Sequence, residues 1–478
     1  MAVKTAEEYV ESVRRLKPRV YVAGELVSDL VSHPNTRAVV NAIAKTYELA
    51  CTREYRQVMT TVSPISGERV SRLNHVCTSP LDLEMRAQLA ELTSRKTGTC
   101  NYRCVGCDAM NALAHVTKLV DAEKGTSYSS RLIEFIKLLQ KEDLACSGAL
   151  TDPKGDRRKR PAEQEDPDMY LRVVERRSDG IVVRGAKMHQ SGAVAAHWTI
   201  VMPGLTLRRG EEDYAVAFAV PNGEKGVTYI FQSTSVDAER REARSEAELG
   251  LPHYGVRETC MIVFDDVFIP WERVFLCGEV EYTGQLIRAF TRMHRMSAAA
   301  CKVGFGDLII GATSLAARYN GVEKAPHIVH QITEMVRLNE TIKACSLAAA
   351  KLGEKMETGV CLPHEMFANV AKLNSALYYF EMVKAATDIA GGLLVTAPSW
   401  RDLQNPEAGK YIRKYLKTPY ATAEERWRVF KFLQHWAAGP HAAETWHGGG
   451  SPAAQRMLIY QTASLEEKER EVLELAKP

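Results

Sequence analysis

His294 and Cys301 stand seven residues apart in Met293-His-Arg-Met-Ser-Ala-Ala-Ala-Cys-Lys-Val-Gly-Phe-Gly306. The apolar spacing of that stretch predicts a helix, and seven residues is two turns, so both side chains leave one face. At roughly 1.5 Å per residue they lie about 10 Å apart along the axis. That span is long for one small ion. It suits a larger inorganic body such as an iron–sulfur cubane, which needs four corners held, usually by thiolates. Two further ligands must then come from elsewhere, and Thr97-Gly-Thr-Cys100-Asn-Tyr-Arg-Cys104-Val-Gly-Cys107 offers them.

Cys100, Cys104 and Cys107 also spell C-x3-C-x2-C, the cluster signature of radical-SAM enzymes. That signature belongs near the start of a barrel of alternating strands and helices, and no such alternation follows here. Cys107 is therefore assigned to packing, or to a spare thiol nearby.

The elements that would position these residues follow from patterning. Residues 1–147 read as mainly helical. Thr5-Ala-Glu-Glu places a hydroxyl cap ahead of acids in a first turn. Pro80 opens an amphipathic helix, and residues 101–119 continue with apolar positions three and four apart. Residues 148–278 change texture. Asp179-Gly180 between β-branched runs predicts a hairpin, and strand-like runs follow at 198–202, 214–220, 228–231 and 258–264. From residue 279 to 478 the helical period returns, with long helices expected over 294–318, 329–353, 363–390 and 423–437. Apolar stripes of that length form bundles.

Composition bounds the rest. The 478 residues are 45% hydrophobic, as in a globular protein. No run of 18 uncharged apolar residues occurs, and the first residues carry no signal-peptide pattern; a cytoplasmic location is expected. The net charge of +3 argues against general nucleic-acid binding. One dense basic patch, Lys154-Gly155-Asp156-Arg157-Arg158-Lys159-Arg160, reads either as a solvated loop or as a contact for the phosphates of a nucleotide-containing ligand. The eleven cysteines are odd in number and do not follow a secreted disulfide spacing, so free thiols in a reducing compartment are expected.

Helices, a small β-domain and a helical bundle, in that order, resemble the plan of acyl-CoA dehydrogenases. More closely, the chain resembles the 4-hydroxybutyryl-CoA dehydratase family over nearly its whole length. The telling segments are residues 151–157 (TDPKGDR), 185–192 (GAKMHQSG), 263–270 (VFDDVFIP), 301–304 (CKVG), 388–392 (DIAGG) and 444–452 (ETWHGGGSP). The resemblance implies a mainly α fold with a central β-domain, FAD, and a [4Fe-4S] cluster held by Cys100, Cys104, His294 and Cys301. It implies that Thr151, Asp152, Pro153, Lys154, Gly155, Asp156 and Arg157 contact the flavin together with His189, Gln190 and Ser191. Asp388, Gly391 and Gly392 would approach the flavin of a neighbouring subunit, so a homotetramer, or dimer of dimers, is implied.

The implied reaction removes water from 4-hydroxybutyryl-CoA to give crotonyl-CoA by a radical mechanism, with isomerisation of vinylacetyl-CoA as a second activity. The hydrogen lost from the β-carbon is not acidic, so tuning of side-chain pKa values alone cannot reach it. In the family's scheme a base takes the α-proton, flavin removes one electron, and the cluster serves as Lewis acid for the departing hydroxyl. The resemblance gives His294 the roles of ligand and candidate base. It makes Glu258 and Glu444 the active-site carboxylates, and lets Lys302 tune local charge. One departure stands out: Ala298 occupies the position of a family tyrosine, which leaves the acyl group open. The alternatives are a flavin-dependent hydroxylase of the 4-hydroxyphenylacetate 3-monooxygenase type, which shares this fold, and a cofactor-binding paralogue without catalysis.

Overall fold

The computed structural model describes residues 3–232, 238–255, 257–437 and 439–476. The principal helices before the strand-rich region are α1 (Ala6–Arg14), α2 (Pro34–Cys51), α3 (Pro80–Thr97), α4 (Cys104–Lys124) and α5 (Tyr128–Lys141). The later ones are α6 (Val280–Asn320), α7 (Pro326–Lys351), α8 (Glu365–Ala390), α9 (Ala423–Ala437), α10 (Pro440–His447) and α11 (Pro452–Gln461).

Their ends follow local chemistry. The Thr5 hydroxyl accepts from the Glu8 amide while the Glu8 carboxylate takes the Thr5 amide, a reciprocal cap on α1. Ser79 and Ser451 each cap a helix whose first residue is proline. The helix expected over 101–119 begins instead at Cys104 and runs to Lys124. Asn101 explains the start: its side-chain oxygen accepts from the amides of Arg103 and Cys104, each at 3.0 Å.

The strands of the two larger sheets are β1 (Arg19–Val22), β2 (Glu25–Leu26), β3 (Cys146–Ala149), β4 (Arg172–Arg176), β5 (Gly180–Ser191), β6 (Trp198–Val201), β7 (Val216–Pro221), β8 (Val227–Phe231), β9 (Thr259–Pro270) and β10 (Val274–Cys277). They form a six-stranded sheet in the order β2-β1-β8-β9-β5-β4 and a four-stranded sheet in the order β10-β7-β6-β3. The expected hairpin at Asp179-Gly180 is present, joining β4 to β5. The first 147 residues are less purely helical than expected. β1 leaves them to pair in parallel with β8, Arg19 opposite Thr228. Such a distant pairing leaves little trace in four residues of sequence. The last strand, β10, pairs with β7 and ends at Cys277.

α6 is the spine of the molecule. It packs against α3, α4, α7, α8 and α9. By length and composition alone it is apolar enough to cross a membrane. Here it is a core helix, and Arg292, His294, Arg295 and Lys302 on it are all buried among its neighbours. Charged groups buried at that depth need partners, and those partners define the site.

Candidate active site

Between α3 and α4 the chain turns sharply. Tyr102 takes a left-handed conformation (φ 59°) although it is not glycine, and its side chain is 1% exposed. The bend points the Tyr102 amide at Cys100, whose sulfur accepts its hydrogen at 3.3 Å. It also brings Cys104 back over Cys100, so that the two sulfurs share a hydrogen bond. That bond, helped by the Arg257 guanidinium, holds the Cys100 thiol below its ordinary value despite burial, while the same bond and burial push Cys104 up. Two such sulfurs facing each other form a soft donor pair.

α6 lies across this loop. Cys301 packs against Ala87 and Ala90 of α3, small residues that let the helices approach closely. Burial raises its thiol; Lys302 and Arg257 oppose that, and the Cys100 charge is felt at the same sulfur. Two turns earlier, His294 Nδ1 sits 2.9 Å from Asp108 Oδ2 on α4. Asp108 is fully buried, and Arg86 and His294 together overcome the burial penalty and keep its carboxyl below the usual range. Arg86 ties the assembly together, reaching Asp108 Oδ1 at 2.9 Å and the Cys104 carbonyl at 3.0 Å. A charged carboxylate at Nδ1 fixes the proton there and leaves Nε2 as the donor atom, the usual arrangement for a metal-binding imidazole.

A knot of charge adjoins the thiols. Glu444, on α10, pairs with Arg257 at 2.7 Å and with Lys302 at 2.5 Å. Burial alone would push its carboxyl up, but these two cations win and hold it at about 2. Lys372 of α8 is fully buried and donates to the Thr445 carbonyl at 3.1 Å. Burial, reinforced by the nearby Lys302, brings its amine down to about 7. The glycine run after α10 closes over this knot. Gly449 (φ 81°) lies so near that a β-carbon there would sit 3.2 Å from Lys372 Cε and 3.7 Å from His294 Cδ2. Arg295 donates to the Gly449 carbonyl at 3.3 Å. Glu258 is buried beside the same region, and its amide donates to the Tyr102 hydroxyl at 3.0 Å.

The loop at 151–157 forms a second locus. Lys154 (φ 79°) and Gly155 (φ 50°) turn it back on itself. Asp152 is buried in an ion pair with Lys187 at 2.8 Å, so its carboxylate anchors the loop to β5 rather than facing outward. The Met188 amide donates to the Thr151 carbonyl at 2.7 Å, and the Lys154 charge is felt at His189. Thr151 to Gly155 and His189-Gln190 are thus neighbours. His189 is exposed, with φ 62°, and its amide donates to Gln232. Within the basic patch Arg158 pairs with Asp156, and Arg160 pairs with Glu211. Asp388, Gly391 and Gly392 are elsewhere, at the exposed end of α8, where Asp388 accepts from Gln331 at 2.6 Å.

Among the described residues no three His, Cys, Asp or Glu side chains are grouped as they would be around a single metal ion. The donor set suits a broader body. Two facing sulfurs, a third thiol coupled to them, and an imidazole with its outer nitrogen engaged are soft ligands. The convergence of three cations on the Glu444 carboxylate favours an anionic occupant nearby. Asp108, Arg257, Lys372 and Tyr102 were not anticipated from sequence. Lys372 had a signal: it falls on the same helical face as the buried Ala368, Ser375 and Tyr379. Cys107 is buried against the carbonyls of Arg72 and His75, in keeping with a packing role.

The 4-hydroxyphenylacetate 3-hydroxylase family matches over both its parts, the N-terminal part over residues 5–276 and the C-terminal part over residues 283–477. The chain is 41% identical to a 4-hydroxybutyryl-CoA dehydratase/vinylacetyl-CoA-Δ-isomerase of Clostridium aminobutyricum, over 99% of this chain and 98% of that one. It superimposes on an oxygen-tolerant archaeal 4-hydroxybutyryl-CoA dehydratase from N. maritimus with a TM-score of 0.95 at 40% identity, over 99% of this chain and 95% of the other. A variant of the hydroxylase HpaB in complex with FAD gives a TM-score of 0.87 at 25% identity, over 99% and 98% of the two chains. The chain belongs to the 4-hydroxybutyryl-CoA dehydratase/vinylacetyl-CoA-Δ-isomerase family, within the wider 4-hydroxyphenylacetate 3-hydroxylase family.

Proposed function

We propose that this protein dehydrates 4-hydroxybutyryl-CoA to crotonyl-CoA and isomerises vinylacetyl-CoA, with FAD and a [4Fe-4S] cluster as cofactors. What supports this reading is the Cys100–Cys104 pair with Cys301 electrostatically coupled to it, and, two turns from Cys301 on the same buried helix, His294 held by Asp108. The dehydratase activity of the 41%-identical relative supports the reaction, and the FAD complex of the HpaB variant supports the flavin.

In this reading Cys100, Cys104, Cys301 and His294 Nε2 hold the cluster. The loop at 151–157 and residues His189, Gln190 and Ser191 contact the flavin. When bound, the flavin supplies one-electron chemistry and the cluster a Lewis-acid site for a hydroxyl.

The chain's own groups divide the remaining work. Asp108 fixes the His294 proton on Nδ1, so Nε2 is free to ligate or to take the acidic α-proton. Glu444 stays ionised between Arg257 and Lys302, and orients groups without releasing a proton near neutrality. Lys372, with its amine near neutrality, can hold or give up a proton. Gly449 packs closely over Lys372 and His294. Ala298 leaves room where the family has a phenol, which favours a bulkier acyl group alongside the four-carbon one.

The reading extends to a three-part plan of residues 1–147, 148–278 and 279–478 like that of acyl-CoA dehydrogenases, and to a homotetramer in which Asp388, Gly391 and Gly392 reach a neighbour's flavin. Location in the cytoplasm belongs to the same proposal. The test is an anaerobic assay for crotonyl-CoA from 4-hydroxybutyryl-CoA and from vinylacetyl-CoA. Hydroxylation of phenols with reduced flavin, and no crotonyl-CoA, would favour the aromatic hydroxylase instead.

A further inference from the structure

Tyr102 lies between the two cysteines of the α3–α4 loop, and three separate segments meet on it. Its amide donates to Cys100 Sγ at 3.3 Å. Its hydroxyl accepts the Glu258 amide at 3.0 Å and lies 3.2 Å from the Thr99 hydroxyl. Its Cβ is so close to Gly192 (φ 74°) that a β-carbon on that glycine would come within 2.3 Å of it. Gly192 directly follows Ser191, the end of the strand assigned to the flavin. One side chain thus joins the cysteine loop, Glu258 just ahead of β9, and the end of β5.

The backbone of Tyr102 is held in a region that side chains other than glycine avoid. A buried, non-glycine residue kept there needs compensating contacts, and such strain gathers at functional sites. The compensating contacts are those just named.

We propose that Tyr102 is a positioning residue for Glu258: its hydroxyl fixes the Glu258 backbone relative to Cys100 and Gly192, and thereby aims the Glu258 carboxylate. The catalytic part of this inference rests on the functional reading above; the positioning part does not. Tyr102→Phe keeps the ring and removes only the hydroxyl. In hydrogen exchange read by mass spectrometry, the segment around Glu258 is expected to lose about tenfold protection, while the β9 amides beyond Cys260, paired in the sheet, stay unchanged. Iron content should match the wild type. Turnover should fall about tenfold or more in kcat with KM within about twofold, and the loss should shrink to less than about threefold when Glu258→Gln is already present.

Unchanged exchange at Glu258 would overturn the positioning role whatever the enzyme's activity. Losses that simply add in the double variant, or loss of iron in Tyr102→Phe, would show that Tyr102 supports the cysteine loop and not Glu258. If the wild type makes no crotonyl-CoA, the functional reading falls, and the exchange measurement still decides the role of Tyr102.

Discussion

His294 and Asp108 are joined across two helices, the imidazole Nδ1 of one lying 2.9 Å from the carboxylate of the other at a position with no solvent exposure on the Asp108 side. Arg86 holds the second oxygen of the same carboxylate. Among the described residues the Asp108 carboxylate is otherwise reached only by the Ser297 hydroxyl, at 3.5 Å.

The first prediction follows from that pair. His294→Ala should lose iron and abolish turnover. Asp108→Asn leaves the ring in place with a weaker orienting partner, and should weaken iron retention by roughly 10- to 100-fold, the usual cost of removing such a partner. Iron counted after dialysis against a chelator reads both. Unchanged iron in His294→Ala would exclude it as a ligand.

Lys372 predicts a pH dependence of stability. Its amine is down at about 7 in the folded chain against 10.5 for a free lysine. Below pH 7 folded and unfolded chains both carry the proton, and the burial penalty is felt in full. Between pH 7 and 10.5 the unfolded chain keeps a proton that the folded chain has released, so stability rises with pH. Measured by chemical unfolding of the cofactor-free chain, wild type should gain on Lys372→Met across that window, by about 1.4 kcal/mol per pH unit at most. A flat difference would contradict the assignment.

Gly449 tests the covering loop. Alanine there meets a left-handed backbone, costing about 1–2 kcal/mol, and sets a methyl group against Lys372 and His294. Gly449→Ala should lower kcat/KM on the order of 10- to 100-fold by displacing the loop, with thermal unfolding shifted only slightly. Steady-state kinetics and a melting curve separate the two effects.

A further prediction concerns Ala298, which the proposed function puts at the wall of the acyl pocket. Wild type should turn over hydroxyacyl-CoA substrates longer than four carbons, and Ala298→Tyr should reject them by roughly 10-fold or more per added methylene. The four-carbon substrate should be retained. Equal loss on all chain lengths would place Ala298 outside the pocket wall.

Much of this arrangement can be read in the linear sequence where the signal is local. Thr5 and Ser451 announce their helices through capping chemistry, and Asp179-Gly180 announces its hairpin through turn chemistry. The pairing of His294 and Cys301 on one helix follows from spacing alone. What depends on distant partners is not legible. β1 finds β8 across some two hundred residues, and a four-residue strand carries too few alternations to be seen. Asp108 reads as a polar position in an apolar helix until His294 and Arg86 are brought to it. Arg257 gains meaning only when Glu444 arrives from the other end of the chain. Lys302 is legible beside Cys301, yet its ion pair to Glu444 exists only in the folded chain. Asp152 sits in a loop that reads as ligand-facing, and its carboxylate turns inward because Lys187 needs a counter-charge there.

The most direct test of the account is the cofactor content of protein purified without oxygen. Acid-labile sulfide, iron and flavin are counted per chain, in the wild type and in Cys100→Ala. About four irons, about four sulfides and one flavin are expected in the wild type, with iron and sulfide lost together and flavin retained in the variant. Wild-type protein that holds flavin but no iron or sulfide would contradict the cluster and the dehydration chemistry built on it.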